Sequence, residues 1–402
     1  MNANKDRLAR RIAELSAIGG HGDAVTRLGL TLAEAQAQEL VASWLRARGA
    51  AIRTDEARNV YGRFGGPGPA VLVGSHLDSV PEGGRYDGAL GVLCAVEAVD
   101  TILDAGRTLR RPLEVVGWCD EEGARFGIGL FGSTAAFGRL PAKAAERRDR
   151  DGISIADALR ALGASGDPER ARYTDPLSAY LELHIEQGPR LETRGIPLGV
   201  VSDIVGIFHG LVRVTGRADH AGATVMGARK DALAGAAEMA LGLERIASAM
   251  IDAVGTVGEI AVRPGAKNVV PGQCTFSIDV RAPDQERVDA VLRAFRVEAR
   301  RICDARGLTF LVDQLASVPP VPMDAKLTDL FLRSAKAVGV DAPLLVSGAG
   351  HDTSNPALGG VPSGMLFVRS TGGSHTPTEH ASVEDATLGA TVLAIALAEL
   401  CG

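Results

Sequence analysis

The sequence predicts an α/β protein in which one domain is inserted into another. Apolar segments typical of buried strands alternate with segments of helical periodicity through residues 1–205 and 317–402, as in a mixed sheet covered by helices. Between them, residues 206–316 carry strand and helix signals in the order βαββαβ, which is typical of a ferredoxin-like α+β domain. Several apolar strands of the first domain end in His, Asp or Glu, which indicates a ligand site along one edge of its sheet.

The elements of the first domain follow from capping and periodicity. Helical spacing marks residues 5–18, and Thr31 with Glu34 forms a capping box for a helix that ends near Arg48. The remaining signals predict strands at 52–54, 59–64, 70–73, 113–119, 180–185 and 364–368, helices at 88–103 and 324–338, and a closing helix capped by Ser382 and Asp385.

The inserted segment has its own complete set of elements. Strands are predicted at residues 211–215, 256–262, 273–281 and 308–312, and helices at 229–250 and 284–305. Four strands and two helices in this order could close as an independent domain. The Val-Pro-Pro-Val-Pro run at residues 318–322 is predicted to be a stiff linker out of it.

Composition narrows the class of protein. The net charge of −6 among 402 residues indicates neither nucleic acid nor an anionic membrane as a partner. No basic-then-apolar leader opens the chain and no apolar run approaches ~18 residues, so neither a signal peptide nor a membrane span is expected. The five cysteines lack CxxC spacing and are odd in number, so we expect reduced thiols in a cytoplasmic protein.

Residues 71–91 contain the first candidate ligands. An apolar strand opens there into a polar loop that carries His76, Asp78 and Asp87. We interpret His76 and Asp87 as metal ligands and Asp78 as the partner that orients the His76 ring. The alternative is a buried histidine whose only partner is an aspartate in a turn.

Three later strands also end in such residues. Residues 113–119 run into Asp120-Glu121-Glu122, where three consecutive carboxylates repel each other unless cations or protons offset them. His184 lies in the strand at 180–185, and His375 follows the strand at 364–368. The alternatives are a solvated acidic loop for the triplet and the exposed face of an edge strand for His184.

Together these residues favour a centre of two divalent metal ions. Three imidazoles with several carboxylates suit Zn²⁺ or Mn²⁺ better than Ca²⁺ or Mg²⁺, and Co²⁺ and Ni²⁺ are further candidates. Such a centre acidifies a water molecule and needs a base that is not itself a ligand. One of Glu121 and Glu122 could bind metal while the other accepts the proton.

The motifs resemble those of a known superfamily in order and over nearly the whole chain. They are GSHLDS (74–79), GGRYDG (83–88), DEEGARF (120–126), LHIEQGP (183–189) and DHAG (219–222). The chain is similar to the dimetal amidohydrolases of the aminoacylase/carboxypeptidase superfamily, in the branch with N-carbamoyl-L-amino-acid hydrolases, allantoate amidohydrolases and β-ureidopropionase. The resemblance implies a metallo-aminopeptidase-like catalytic domain that hydrolyses a ureido or amide bond of a small carboxylate-bearing substrate.

The resemblance also assigns roles to the residues of the candidate centre. It implies that His76, Asp87 and His184 hold one ion, and that Asp87, Glu122 and His375 hold the other. Asp87 would thus bridge the two ions. Glu121 would be the general base, with Asp78 behind His76.

For the inserted domain, the resemblance implies a lid that also forms a homodimer. His220 would support the oxyanion, while Asn268 and Arg281 would grip the substrate. Arg281 suits bidentate binding of a carboxylate, although a strand-end salt bridge is the alternative. A loop histidine that caps the next helix is the alternative for His220. Gln187 and the Gly350-His351 pair match further residues that contact the substrate in the family.

The sequence departs from the family pattern near two of these motifs. Thr224-Val225-Met226 stands where the family usually has a proline. Before His375, Arg369 replaces a proline and the loop is one residue shorter. These departures concern the choice of substrate more than the chemistry.

Three other classes of protein share single features with this sequence. Residues 127–132 match GxGxxG, as in an NAD-binding oxidoreductase, but the carboxylates that precede them would repel a pyrophosphate. Cys119 could be an amidase nucleophile, although a buried thiol at a strand end is ordinary. A dimeric binding protein without metals is the third alternative, against which the complete ligand set argues.

Overall fold

The computed structural model describes residues 1–402. Its helices, numbered in chain order, are α1 (Lys5–Ser16), α2 (Leu32–Ala47), α3 (Ala89–Asp104), α4 (Phe131–Ala136), α5 (Ile155–Ala161), α6 (Arg190–Arg194), α7 (Ala232–Ser248), α8 (Gln285–Arg306), α9 (Ala325–Ala337), α10 (Ser354–Leu358) and α11 (Val383–Cys401).

The strands are numbered in the same way. They are β1 (Gly20–His21), β2 (Ala24–Val25), β3 (Ala51–Thr54), β4 (Val60–Phe64), β5 (Ala70–His76), β6 (Leu113–Trp118), β7 (Leu177–Ile185), β8 (Leu198–Ile204), β9 (Gly206–Thr215), β10 (Asp219–His220), β11 (Val254–Thr256), β12 (Ile260–Arg263), β13 (Val269–Val270), β14 (Gln273–Ala282), β15 (Thr309–Val318), β16 (Val321–Pro322), β17 (Leu344–Ser347) and β18 (Ser363–Val368).

The chain forms two compact units. The first unit comprises Met1–Ser202, Pro322–Leu345 and Ala349–Gly402, and the second comprises Asp203–Val321 with Val346–Gly348. None of the helices combines the length and hydropathy that a membrane-spanning helix needs.

The first unit is built around a nine-stranded mixed sheet. Its order is β16-β8-β18-β7-β5-β6-β4-β3, with β17 also paired to β8. The strands β18, β7, β5 and β6 run parallel to their neighbours in that series, while β3, β4 and β8 are antiparallel to theirs. The predicted α/β class with a mixed sheet is thus confirmed.

Burial on both faces explains the sequence of the central strands. Every residue of β5 and of β6 is buried, and strands covered on both sides are continuous apolar runs rather than alternating ones. On one face, α3 and α11 pack into the main apolar core. On the other face, Trp118 and Tyr180 lie in a smaller cluster and share a hydrogen bond of 2.9 Å.

Side-chain caps fix the two helix starts that the sequence predicts. The Thr31 hydroxyl accepts from the Glu34 N–H at 3.4 Å, and the Ser382 hydroxyl accepts from the Asp385 N–H at 3.0 Å. The Glu34 carboxylate, however, turns inward and accepts from the N–H of Asp120 at 2.9 Å. The first turn of α2 therefore supports the turn that carries Glu121 and Glu122.

The second unit contains an antiparallel sheet in the order β15-β9-β14-β11, with β12 also paired to β14. One face of β9 buries Phe208, Val212 and Val214 in a core with α7 and α8, while its other face leaves His209 and Arg213 exposed. The βαββαβ order is therefore present with two helices on one face, as in a ferredoxin-like domain.

Two elements of the second unit differ from the expectation. The single strand predicted at 256–262 is divided into β11 and β12, which pair with different halves of β14. β15 continues through a bulge to Val318 and so occupies the start of the predicted linker. An edge strand pairs on one side only, and the prolines follow its last residue.

Candidate metal centre

The side chains of the candidate centre come from the carboxyl ends of four strands. In the sheet, β6, β5, β7 and β18 are successive neighbours and run parallel to one another. Their carboxyl ends therefore lie along the same edge. His76 is the last residue of β5, and His184 is the last but one of β7. The turn after β6 provides Glu121 and Glu122, and the loop after β18 provides His375.

One group of ligand atoms surrounds the first oxygen of Asp87. The Oδ1 atom lies 3.2 Å from His184 Nε2 and 3.6 Å from His76 Nε2. Gly88 permits this approach, since a Cβ there would lie 2.2 Å from His76 Nε2 and its φ is +60°. The predicted trio of His76, Asp87 and His184 is thus brought together and buried.

A second group surrounds the other oxygen of the same carboxylate. His375 Nε2 lies 3.3 Å from Asp87 Oδ2 and 3.4 Å from Glu122 Oε1. Each of the two predicted groups therefore contains Asp87, through a different oxygen. The donor atoms within each group all lie within 4.8 Å of one another.

Asp78 stands behind the centre. Its Oδ1 lies 3.2 Å from His76 Nδ1, on the side of the ring away from Asp87. The same carboxylate accepts from the N–H of Glu121 at 2.9 Å and from that of Glu122 at 3.1 Å. Asp78 therefore contacts the His76 ring and also holds the backbone of the acidic turn.

The charged side chains of the centre shift one another's pKa values. Burial acts to raise the pKa of Asp87, but His184, His375 and His76 outweigh it and hold that pKa well below its usual range. Burial and the neighbouring Asp87 raise the pKa of Glu122 to about 7. The hydrogen bond with Asp87 and the charge of Glu122 raise the pKa of His375 to about 8.

These donors fit divalent cations. Imidazole and carboxylate are the ligands of zinc and manganese sites. Glu122 Oε1 is buried and has no hydrogen-bond donor, which is costly unless a cation or proton occupies the position. A third cluster consists of Glu182, His184 and His351. Its carboxylate does not need a cation in the same way, because the hydroxyls of Ser75 and Thr353 already donate to Glu182.

Glu121 lies beside the centre but belongs to neither group. Its Oε2 is 3.8 Å from His76 Nε2, and its side chain is 12 % exposed. Burial, the largest cause, raises the pKa of Glu121 well above its usual range, although His76 acts to lower it. The carboxylate therefore has a high affinity for a proton.

Three further predicted residues lie in the first unit. Gln187 donates from Nε2 to Asp87 Oδ2 at 2.9 Å and has a φ of +60°. His351 is buried, with its ring 4.4 Å from that of His184. Burial and the neighbouring His184 hold the pKa of His351 well below its usual range, so it stays neutral. Gly350 precedes it in the loop after β17.

His220 and Asn268 lie together in the second unit. β10 pairs with β13, and the N–H of Ala221 donates to Asn268 O at 3.0 Å. His220 Nδ1 accepts from the N–H of Gly222 at 3.0 Å and from that of Ala223 at 3.1 Å. Because Nδ1 is an acceptor, the proton of the neutral ring is on Nε2, which is left as a donor.

Arg281 makes the salt bridge that was the alternative explanation for it. Its Nε and Nη2 donate to Asp279 at 2.9 and 3.0 Å, and its Nη1 donates to Gly348 O at 2.9 Å. A guanidinium has five N–H bonds, so two remain for another acceptor. Arg281 lines a cavity of about 830 Å³ together with Asp279, His209, Val254 and Leu315.

The structure argues against both rival catalytic motifs. Burial, together with Glu34, raises the pKa of Cys119 well above its usual range, so this thiol is protonated and a poor nucleophile. The GxGxxG match begins at Gly127, whereas β6 ends at Trp118. A dinucleotide fingerprint follows its strand directly, so this segment has the wrong position.

Arg369 has a structural partner. Its Nε donates to Asp385 Oδ2 at 2.9 Å, and its Nη2 lies 2.8 Å from the same oxygen, which belongs to the first turn of α11. A carboxylate near a helix N-terminus is itself favourable, and Arg369 adds an ion pair there. The departure from proline at this position is therefore explained by packing against α11.

Three residues that hold the predicted site residues by hydrogen bonds were not predicted from the sequence. Ser374 donates to Asp87 Oδ2 at 2.9 Å, and Glu379 accepts from the N–H of Asp87 at 3.0 Å. Asp279 holds Arg281 in the second unit. The only signal in the sequence was their position, within four residues of an interpreted ligand or substrate residue.

Comparison with known proteins identifies the family of this chain. The model of Peptidase family M20/M25/M40 matches residues 72–399, and the chain belongs to that family. Members of the family generally depend on two metal ions. The predicted resemblance is therefore confirmed.

Individual relatives narrow the class. The chain is 42 % identical over 395 residues to an N-carbamoyl-L-amino acid amidohydrolase of Geobacillus stearothermophilus, covering 96 % of each chain. It is 38 % identical to an allantoate deiminase of Arabidopsis thaliana, covering 96 % of this chain and 80 % of that protein. A solved amidase of the hydantoinase/carbamoylase family from Burkholderia multivorans is 34 % identical, with a TM-score of 0.93 over 100 % of this chain and 98 % of the other.

Proposed function

We propose that this protein is a dimetal amidohydrolase that cleaves the ureido C–N bond of an N-carbamoyl-L-amino acid and releases the L-amino acid, CO₂ and NH₃. The observation that carries the proposal is the position of Asp87, whose two oxygens face two separate groups of ligand atoms while Glu121 stays outside both. Allantoate is the second candidate substrate, supported by the 38 % identical allantoate deiminase. A β-ureido acid is the third.

We assign the metal ligands as the two groups describe them. His76, Asp87 and His184 would hold one ion, and Asp87, Glu122 and His375 would hold the other. Bound ions would polarise the ureido carbonyl and make water acidic enough to supply hydroxide near neutral pH. Three imidazoles in the set favour zinc or manganese over magnesium or calcium, with cobalt and nickel as further candidates.

Glu121 is the general base of this proposal. It accepts a proton from the attacking water and returns it to the leaving nitrogen. Its burial supports this role, since a carboxylate with a raised pKa accepts a proton near neutral pH better than an ordinary one. Asp78 supports the same step by holding the N–H of Glu121.

Residues of the second unit recognise the substrate in this proposal. His220 donates its Nε2 proton to the developing oxyanion, which the two backbone bonds to its Nδ1 support. Arg281 uses its two remaining N–H bonds for the substrate carboxylate. Asn268 of the same unit, and Gln187, Gly350 and His351 of the first unit, contribute further substrate contacts.

We also propose that residues 1–205 and 317–402 form the catalytic domain. Residues 206–316 would form a lid over it and would also make the contact between the two subunits of a homodimer. β15 lies at one edge of the second sheet with Leu311 and Leu315 exposed, and an uncovered edge strand can pair with a second copy. A cytoplasmic location stays a prediction, which the five free thiols support.

A panel assay tests the proposed function. The protein is stripped with a chelator, reloaded in turn with zinc, manganese, cobalt or nickel, and assayed for ammonia release. The substrates are N-carbamoyl-L-amino acids, their D enantiomers, allantoate and 3-ureidopropionate. We expect release from the L-carbamoyl compounds only after reloading. Release from allantoate alone would favour the second candidate, and no release from any ureido acid would refute the proposal.

A further inference from the structure

The loop that carries His375 is more exposed than the rest of the candidate centre. The side chain of His375 is 49 % exposed, whereas those of the other four proposed ligands are 8 % exposed or less. His375 also has a φ of +58°, and the two glycines before it have positive φ values. A ligand on such a loop is held only if other contacts fix the loop.

Glu379 supplies contacts of that kind. Its Oε1 accepts from the N–H of Tyr86 at 3.1 Å and from that of Asp87 at 3.0 Å, and its Oε2 accepts from Ser374 Oγ at 3.1 Å. The side chain is buried and packs so closely on Gly84 that a Cβ there would lie 2.2 Å from Oε1. One carboxylate therefore joins the His375 loop to the backbone of Asp87.

Ser374 extends this connection to the side chain of Asp87. Its Oγ lies 2.9 Å from Asp87 Oδ2 as well as 3.1 Å from Glu379 Oε2. A hydroxyl has one proton, so the two carboxylates share a single donor. Asp87 Oδ2, which faces His375, also accepts from Gln187 Nε2 at 2.9 Å, so Ser374 with Glu379 holds this oxygen from one side and Gln187 from another.

The other ligand group has different supports. His76 lies opposite Trp118 in the pairing of β5 with β6, and His184 lies opposite Phe367 in the pairing of β18 with β7. These two histidines are fixed by strands at the centre of the sheet. Asp87 belongs to both groups, but only the second group also contains His375, whose loop Glu379 holds. Loss of the Glu379 contacts should therefore disturb the second group more than the first.

We propose that Glu379 is a positioning residue that holds the Asp87–Glu122–His375 group in place for its ion without binding that ion itself. The inference rests on the proposed function, because it requires that both groups bind metal. Glu379 thus supports chiefly the second group, whereas His76 and His184 of the first group depend on the central strands.

The test is a metal titration rather than an activity assay. Metal-free wild type, Glu379→Ala, Glu379→Gln and Glu384→Ala are titrated with zinc in competition with a chromophoric chelator, which resolves two binding steps. Glu384 is the matched control, since it is an exposed glutamate of the next helix whose partner is Lys5. Circular dichroism and urea unfolding report whether each variant is folded.

We expect two steps in the wild type and in Glu384→Ala. In Glu379→Ala one step should weaken about 10- to 100-fold, as for other residues that support a metal ligand, while the other step changes little. Glu379→Gln should recover most of that affinity, because its amide oxygen still accepts from the two N–H groups and its NH₂ donates to Ser374. Ser374→Ala should weaken the same step and serves if Glu379→Ala does not fold.

Three results would overturn the inference. Equal weakening of both steps in a folded Glu379→Ala would show that Glu379 acts on both groups through Asp87 and has no special effect on the second group, and no weakening would show that Glu379 does not support the site. Glu379→Gln as weak as Glu379→Ala, with both folded, would show that the contacts described are not the cause. Absence of zinc binding by the wild type would instead refute the proposed function, and this inference with it.

Discussion

Replacing Glu121 by glutamine separates the proposed base from the proposed ligands. Glutamine has nearly the same shape but cannot accept the proton from water. A positioned general base contributes about 10²- to 10⁴-fold to a rate, which corresponds to about 3–5 kcal/mol of barrier. The structure favours the upper half of that range for two reasons. Glu121 is only 12 % exposed, so water or buffer is a poor substitute, and both oxygens of neighbouring Asp78 are occupied by backbone N–H groups.

The assay compares kcat for ammonia release with the metal content of the same sample. Glu121→Gln should lose about 10³- to 10⁴-fold in kcat and retain both ions. Glu122→Gln is the matched control, because it changes the adjacent residue in the same way but removes a proposed ligand. It should lose one ion. A Glu121→Gln enzyme with near-normal kcat, or one that loses metal as Glu122→Gln does, would refute the assignment.

Four further predictions concern other residues of the protein. Arg281→Lys should raise KM for carboxylate substrates with little change in kcat, because lysine cannot make the paired contact; an unchanged KM contradicts it. Gly88→Ala should weaken zinc binding in a chelator titration, since its Cβ would lie 2.2 Å from His76 Nε2; unchanged affinity would show that the ring moves freely. Zinc affinity should rise between pH 6 and 8, because the pKa of His375 is raised to about 8 and its proton must leave when a ligand binds metal; equal affinities at both pH values would contradict this. Cys119→Ala should keep full activity, and a large loss would restore the thiol as a candidate nucleophile.

The positions of the strand-end residues could be predicted because parallel strands align their ends. His76, Asp120–Glu122, His184 and His375 each follow or end an apolar segment, and such segments are recognisable when both faces of a strand are buried. The structure places these residues along one edge of the sheet. Composition and periodicity alone left open which of Glu121 and Glu122 binds metal, and only the resemblance assigned those roles.

Other features could not be predicted, because they depend on contacts between distant residues. Glu379 accepts a hydrogen bond from the N–H of Asp87, which lies 292 residues away in the sequence. Nothing near Glu379 in the sequence indicates that partner. The side chain of Arg369 is likewise held by a residue of another element, Asp385 in the first turn of α11. The start of the linker after β15 was assigned wrongly, because an edge strand can continue up to a proline without losing a ladder bond.

Anomalous diffraction from a crystal of the zinc-loaded enzyme tests the central claim most directly. We expect two anomalous peaks, one bounded by His76, Asp87 and His184 and the other by Asp87, Glu122 and His375. Each ion should lie about 2.0–2.2 Å from one oxygen of Asp87. A single peak, or two peaks that leave Asp87 without a metal contact, would refute the assignment of Asp87 as the ligand shared by two ions.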